Sequence, residues 1–173
     1  FELLLRQYSS NLNYTPDKEV NMHFLKTIRE LINIITLFEK ISAPHLRSLG
    51  LTTGQFDVIA TLGNQPAMSC KELAEKTLML KGNLTVVLTS LLKKELISRT
   101  ENPNDGRSTL IGLTTAGNEL FKHAFPAHTK YLQPLHDQFE VAEMNQLRNE
   151  LYAIRIKLEH YLTTNSIERN SNV

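Results

Sequence analysis

Only one of the 173 residues is a cysteine, Cys70, which excludes an internal disulfide framework and fits a reducing compartment. Long hydrophobic runs are also missing. The longest apolar stretches are Leu3 to Leu5 and Leu31 to Phe38, the latter broken by Asn33 and Thr36. Both fall far short of the roughly 20 residues a membrane span requires. No signal-peptide pattern is visible, so a cytoplasmic protein without membrane contact is expected. The first residue is Phe1 rather than methionine, which leaves room for a natural start upstream. An excess of either charge is lacking too: the net charge is +1, so any binding to a polyanion must rest on local charge. Catalytic signatures are absent, with no G-x-S-x-G, no H-E-x-x-H, no phosphate-cradling glycine loop and no supported Cys–His pair. His23, His45, His123, His128, His136 and His160 form no i, i+4 pair, and Pro126 separates His123 from His128. No enzyme, cofactor or metal site is expected.

What is present is mostly helical patterning on a chain long enough to bury roughly 70% of its unfolded surface. Between His23 and Ile41, apolar residues at 24, 28, 31, 35 and 38, with 25, 32, 34 and 41 beside them, make a broad face that predicts burial on two sides. Pro44 should kink or end that helix, and Gly50 is a natural stop. Thr52-Thr53-Gly54-Gln55 and Ser69-Cys70-Lys71-Glu72 have capping-box spacing and open two short helices, with the turn Gly63-Asn64-Gln65-Pro66 between them. The second should end near Leu78. Leu84, Val87, Leu88, Leu91 and Leu92 then mark one face of a helix from about Lys81 to Lys94. Residues 96–100 and 108–113 alternate around the turn cluster Asn102-Pro103-Asn104-Asp105-Gly106, which predicts a β-hairpin. Thr114 is a candidate N-cap for a helix that must bend at Pro126 and Pro134. In the last helix Val141, Met144, Leu147, Leu151, Ile154, Leu158 and Tyr161 repeat at intervals of three and four, a stripe suited to packing between subunits. The polar tail from Asn165 onward is expected to be loose.

Two capped short helices, a further helix and a hairpin, in that order, make a winged helix-turn-helix. Opposite the leucine stripe of residues 81–94 lie Gly82, Val86, Thr89 and Lys93, flanked by Asn83, Thr85 and Ser90. No carboxylate occurs between Glu75 and Glu95, whereas Lys76, Lys81, Lys93 and Lys94 do. That is the charge pattern a surface facing phosphates needs. Asn83, Thr85 and Thr89 have groups to meet base edges, and the methyls of Thr85 and Val86 suit a thymine methyl. A solvated helix on a small bundle, or a winged helix used only for protein contacts, remains the alternative on this pattern alone.

Residues 49–117 carry a denser set of motifs. They include Leu49-Gly50-Leu51-Thr52, Gln55-Phe56-Asp57-Val58-Ile59, Gly82-Asn83-Leu84-Thr85 and Leu96-Ile97-Ser98-Arg99. Asn102-Pro103-Asn104-Asp105-Gly106-Arg107 and Leu113-Thr114-Thr115-Ala116-Gly117 complete the set. Together they resemble the multiple antibiotic resistance regulator (MarR) family of bacterial transcription factors. The resemblance implies a mainly α fold with a small wing and long terminal dimerisation helices. In it, 1–173 forms a single domain: a DNA-binding lobe at 51–115, a helical dimerisation lobe from 1–50 and 116–165, and a loose tail at 166–173. It places Lys81, Asn83, Thr85, Val86, Thr89, Ser90 and Lys93 at the major groove, Arg107 at the minor groove, and Asp105 as the acid bracing the wing. Asp105 and Arg107 also have the simpler role of pairing to shape the turn. Two departures stand out: Glu95 where the family often has glycine, and Gly106 where many members have a second arginine.

The same resemblance implies a homodimeric repressor on double-stranded DNA with a pseudo-palindromic operator, its half-sites about 34 Å apart. It also implies an input. A small-molecule effector held near the apolar face of 24–41 is one reading, and plain core is the other. Oxidation of Cys70, in the first turn of a helix beside Lys71, is a third. Peroxide-sensing members, however, carry their cysteine near the start of the first long helix, where this chain has none.

Overall fold

The computed structural model describes residues 16–103 and 108–171, with side chains from 22–103 and 108–165. Among these residues six helices and three strands follow one another. They are α1 (Pro16–Ser48), α2 (Thr53–Leu62), β1 (Met68–Ser69), α3 (Cys70–Thr77), α4 (Lys81–Lys93), β2 (Ile97–Glu101), β3 (Thr109–Leu113), α5 (Thr115–His136) and α6 (Val141–Ser171). The chain divides into two compact units, Phe1–Phe125 and Pro126–Val173, with the boundary inside α5.

In the first unit α2 is central, and α1, α3, α4 and β3 all pack on it. Both short helices start where the capping boxes place them. The Thr52 hydroxyl accepts from Gln55 N at 3.2 Å while Thr52 N donates to Gln55 Oε1 at 3.0 Å. The Ser69 hydroxyl accepts from Glu72 N at 3.3 Å, and Ser69 N donates to the Glu72 carboxylate at 2.8 Å. Hydrogen bonds from the Ser69 side chain and backbone hold the Glu72 carboxyl below its usual pKa. The leucine stripe of α4 behaves as its periodicity predicts: Leu84, Leu88 and Leu91 join Val58, Ile59, Leu62 and Leu73 in one buried cluster. Burying each leucine contributes about 1.5–3 kcal/mol.

The hairpin pairs Ile97 with Leu113 through to Glu101 with Thr109, and β1 adds to its other side through Met68↔Ile111 and Ser69↔Leu110, giving the order β1-β3-β2. A two-residue strand is too short to show a period in sequence, and β1 carries no local signal. Three further expectations concern where helices bend or stop. Pro44 does not end α1, which continues to Ser48 with the proline inside it. Proline forfeits one backbone hydrogen bond, but the fully buried Leu46 anchors the turn beyond it. Likewise α5 runs through Pro126 and Pro134 to His136. At the C-terminus, α6 extends past Asn165 to Ser171, because no glycine or proline interrupts the chain from Val141 onward.

The end of α4 explains two family motifs as structure. Leu96 N donates to Leu91 O at 3.1 Å and Glu95 N to Leu92 O at 3.0 Å, the Schellman pattern, which needs a left-handed residue between them. Glu95 supplies it with φ 57°, at the position where the family often has glycine. Thr114 then locks this corner. Its hydroxyl donates to Glu95 O at 2.7 Å and accepts from Gly117 N at 3.0 Å, while its own N donates to Leu96 O at 3.1 Å. A Cβ on Gly117 would collide with the Leu96 carbonyl, so the closing glycine of the motif is a close-approach residue. Farther along α5, the Phe125 ring stacks on Phe56 with centroids 6.3 Å apart, and Phe121 lies 5.4 Å from Phe125.

Two substitutions at this corner should move stability in opposite directions. Gly117→Ala should cost at least about 2 kcal/mol by overpacking against backbone. Glu95→Gly should gain on the order of 1 kcal/mol by relieving a left-handed side-chain residue. Urea unfolding of the two variants measures both.

Candidate nucleic-acid interface

The helix-turn-helix consists of α3, the turn 78–80 and α4. Leu78 closes α3 in the left-handed region with φ 55°, and Leu80 stands at the N-cap of α4 without a side-chain cap. Both side chains are exposed. With its inner face committed to α2, α4 turns Lys81, Gly82, Asn83, Thr85, Val86, Thr89 and Lys93 to the outside. Val86 is 71% exposed, a large value for an apolar residue on a helix whose leucines are buried. A Cβ at Gly82 would meet nothing within 4 Å, so another surface has room to approach there.

The hydroxyls on this face are already oriented. Thr85 Oγ1 donates to Lys81 O at 2.9 Å and Thr89 Oγ1 to Thr85 O at 2.8 Å. With their protons held by the helix, both oxygens present lone pairs outward, which suits the amino group of cytosine or adenine. The Asn83 side chain makes no hydrogen bond among the described residues and keeps both halves of its amide available, the arrangement needed for bidentate pairing with adenine.

Ser90 differs from the others. It is half-buried, and its hydroxyl accepts from Gln55 Nε2 at 2.8 Å rather than facing outward. Lys94, counted by sequence among the cations of the carboxylate-free stretch, is instead tied back into the protein together with Gln55. Lys94 Nζ donates to Gly50 O at 2.8 Å and to Gln55 Oε1 at 3.1 Å. Gln55 is visible in sequence as a capping residue, but its partners lie 35 and 39 positions away. No local pattern reports them.

At the base of the wing, Asn102 N donates to Ser108 O at 3.1 Å and Asn102 Nδ2 to Ser108 Oγ at 2.9 Å. Asp105 and Arg107, expected at the wing tip, lie outside the described residues. Cys70 is the first residue of α3 and is exposed.

The sequence model of the MarR family matches residues 51–109. Residues 51–109 carry the MarR-family domain. The homoprotocatechuate degradative operon repressor of Escherichia coli is 29% identical over 108 residues, 62% of this chain and 73% of the repressor. The HTH-type transcriptional regulator MhqR of Bacillus subtilis is 31% identical over 84 residues, 49% of this chain and 58% of MhqR. Among solved structures, a mutant of MarR from E. coli complexed with operator DNA superposes with a TM-score of 0.65 at 25% identity, covering 74% of this chain and 93% of that one. The chain is a DNA-binding transcription regulator, as these relatives are, and not an enzyme.

One carboxylate of the interface scaffold is placed at a cost. Asp57 sits half-buried on α2, and burial raises its pKa above the usual 3.8. The folded carboxyl therefore keeps its proton at pH values where the unfolded one has lost it. Stability falls as pH rises through that interval, and the cost is complete above the folded value. Asp57→Asn should accordingly raise Tm at pH 7 and give no gain at pH 3, which thermal melts across the pH range will check.

Proposed function

We propose that this regulator binds a pseudo-palindromic operator as a homodimer, represses the genes beside it, and is released by a small-molecule effector in the cytoplasm. The observation that carries the reading is the outer face of α4: amide, hydroxyl, methyl and ammonium groups with no carboxylate among them, presented by a helix whose leucines are buried. In this reading Lys81 and Lys93 meet phosphates, while Asn83, Thr85, Val86 and Thr89 read base edges. Arg107 enters the minor groove, where a guanidinium suits enhanced negative potential, and Asp105 braces the wing. Residues 51–115 form the DNA-reading lobe; 1–50 and 116–165 dimerise. The complex of E. coli MarR with its operator supports the DNA partner, and the E. coli relative named as an operon repressor supports repression.

The dimer rests on two apolar faces. On α1, Ile32, Ile34, Ile35, Leu37, Phe38 and Ile41 are exposed, with Leu25, Ile28 and Leu31 half-buried beside them. On α6, Leu147, Leu158 and Tyr161 are exposed. Contiguous apolar surface on this scale requires a cover, and a second copy supplies one.

Selection of bound fragments from the source genome gives the operator, and its affinity should fall steeply with salt. Lys81→Ala should make the log–log salt slope shallower by about one and weaken all sequences alike. An affinity indifferent to salt would instead favour a winged helix used for protein contacts. For the dimer, Leu151→Asp combined with Leu158→Asp should yield monomers or unfolded chain by analytical ultracentrifugation. A folded dimer persisting at low concentration would remove α6 from the seam.

A further inference from the structure

The leucines of α4 fix how deeply it sits against α2, but apolar contacts are non-directional and tolerate sliding and rotation. Directional bonds are what set register. Those bonds converge on one side chain. Gln55, 5% exposed, accepts at Oε1 from Thr52 N at 3.0 Å and from Lys94 Nζ at 3.1 Å, and donates from Nε2 to Ser90 Oγ at 2.8 Å. Lys94 Nζ also donates to the carbonyl of Gly50 at 2.8 Å. Gly50 adopts φ 76° just beyond α1. Three segments are thereby joined: the residue that ends α1, the first turn of α2 and the C-terminal end of α4.

We propose that Gln55, Ser90 and Lys94 form a positioning clamp that sets the axial register of α4 against the end of α1, so that operator affinity depends on three side chains that do not touch DNA. The proposal rests on α4 being the DNA-reading helix. It gives Ser90 an inward task in place of the base contact expected from sequence, and it makes Lys94 a strut rather than a phosphate contact. Base-edge pairing tolerates little displacement, and removing one partner from these part-buried bonds takes away a directional tie between the helices, so loss of any member should be felt at the DNA. Because α1 also carries the apolar face assigned to the second copy, the clamp ties each reading helix to the element that sets the spacing of the pair.

The test is operator binding by Ser90→Ala, Lys94→Met and Gln55→Met in the full-length protein, each at several salt concentrations. Each variant should bind about ten-fold more weakly with an unchanged salt slope. Combining Gln55→Met with Ser90→Ala should be no worse than Gln55→Met alone, because the two act through one bond. A slope shallower by about one in Lys94→Met would make that lysine a phosphate contact and overturn the clamp. Unchanged affinity in both Ser90→Ala and Lys94→Met would overturn it as well. Gln55→Met also removes half of the α2 capping box; should it unfold, the other two variants, which leave that box intact, decide. A wild-type protein that binds no selected duplex sinks the DNA reading itself, whereas wild-type binding with indifferent variants sinks only the clamp.

Discussion

The structure of the first unit depends on one burial: Leu84, Leu88 and Leu91 of α4 seated against α2. A helix of 13 residues is marginal in isolation, so its persistence comes from that apolar face and not from its own propensity. Once the leucines are committed inward, the helical period assigns every other side chain. Lys81, Asn83, Thr85, Val86, Thr89 and Lys93 are outside because they have nowhere else to go. A surface able to meet DNA is thus a by-product of a core.

The family motifs divide along the same line. Glu95, Leu96, Thr114 and Gly117 are tied together by backbone and hydroxyl hydrogen bonds at the corner where α4 meets the sheet and α5 begins. They hold the wing and α4 in fixed relation without offering chemistry to a partner. The cost of Glu95 in the left-handed region is tolerated because the Schellman bonds around it satisfy carbonyls that would otherwise be orphaned. Residues of this kind recur in a motif for architectural reasons, and the outer face of α4 is where one regulator would differ from another in what it reads.

The two units leave different needs unmet. The first has a packed core around α2, yet the middle of α1 presents a run of isoleucine, leucine and phenylalanine to solvent. In the second, the stripe of α6 is regular but partly exposed, with Tyr161 67% accessible. A helix of 31 residues with so little of its apolar face covered is unusual for a single chain in water. The proposed dimer would cover these faces, and so would bear on stability as well as on how two reading helices are presented together.

Sequence alone determined the elements whose information is local. Both capping boxes, the inner face of α4, the hairpin around residues 102–108, the cap at Thr114 and the carboxylate-free stretch are all written within a few residues of one another, because hydrogen bonds between i and i+3 and the 3.6-residue period act over that range. Tertiary structure alone decided the rest. The continuation of α1 past Pro44 depends on a buried Leu46, β1 exists only because β3 lies beside it, and Ser90 turns inward because Gln55, 35 positions away, offers it a partner. Such outcomes depend on which distant groups arrive at the same place, and neither residue type nor spacing encodes that.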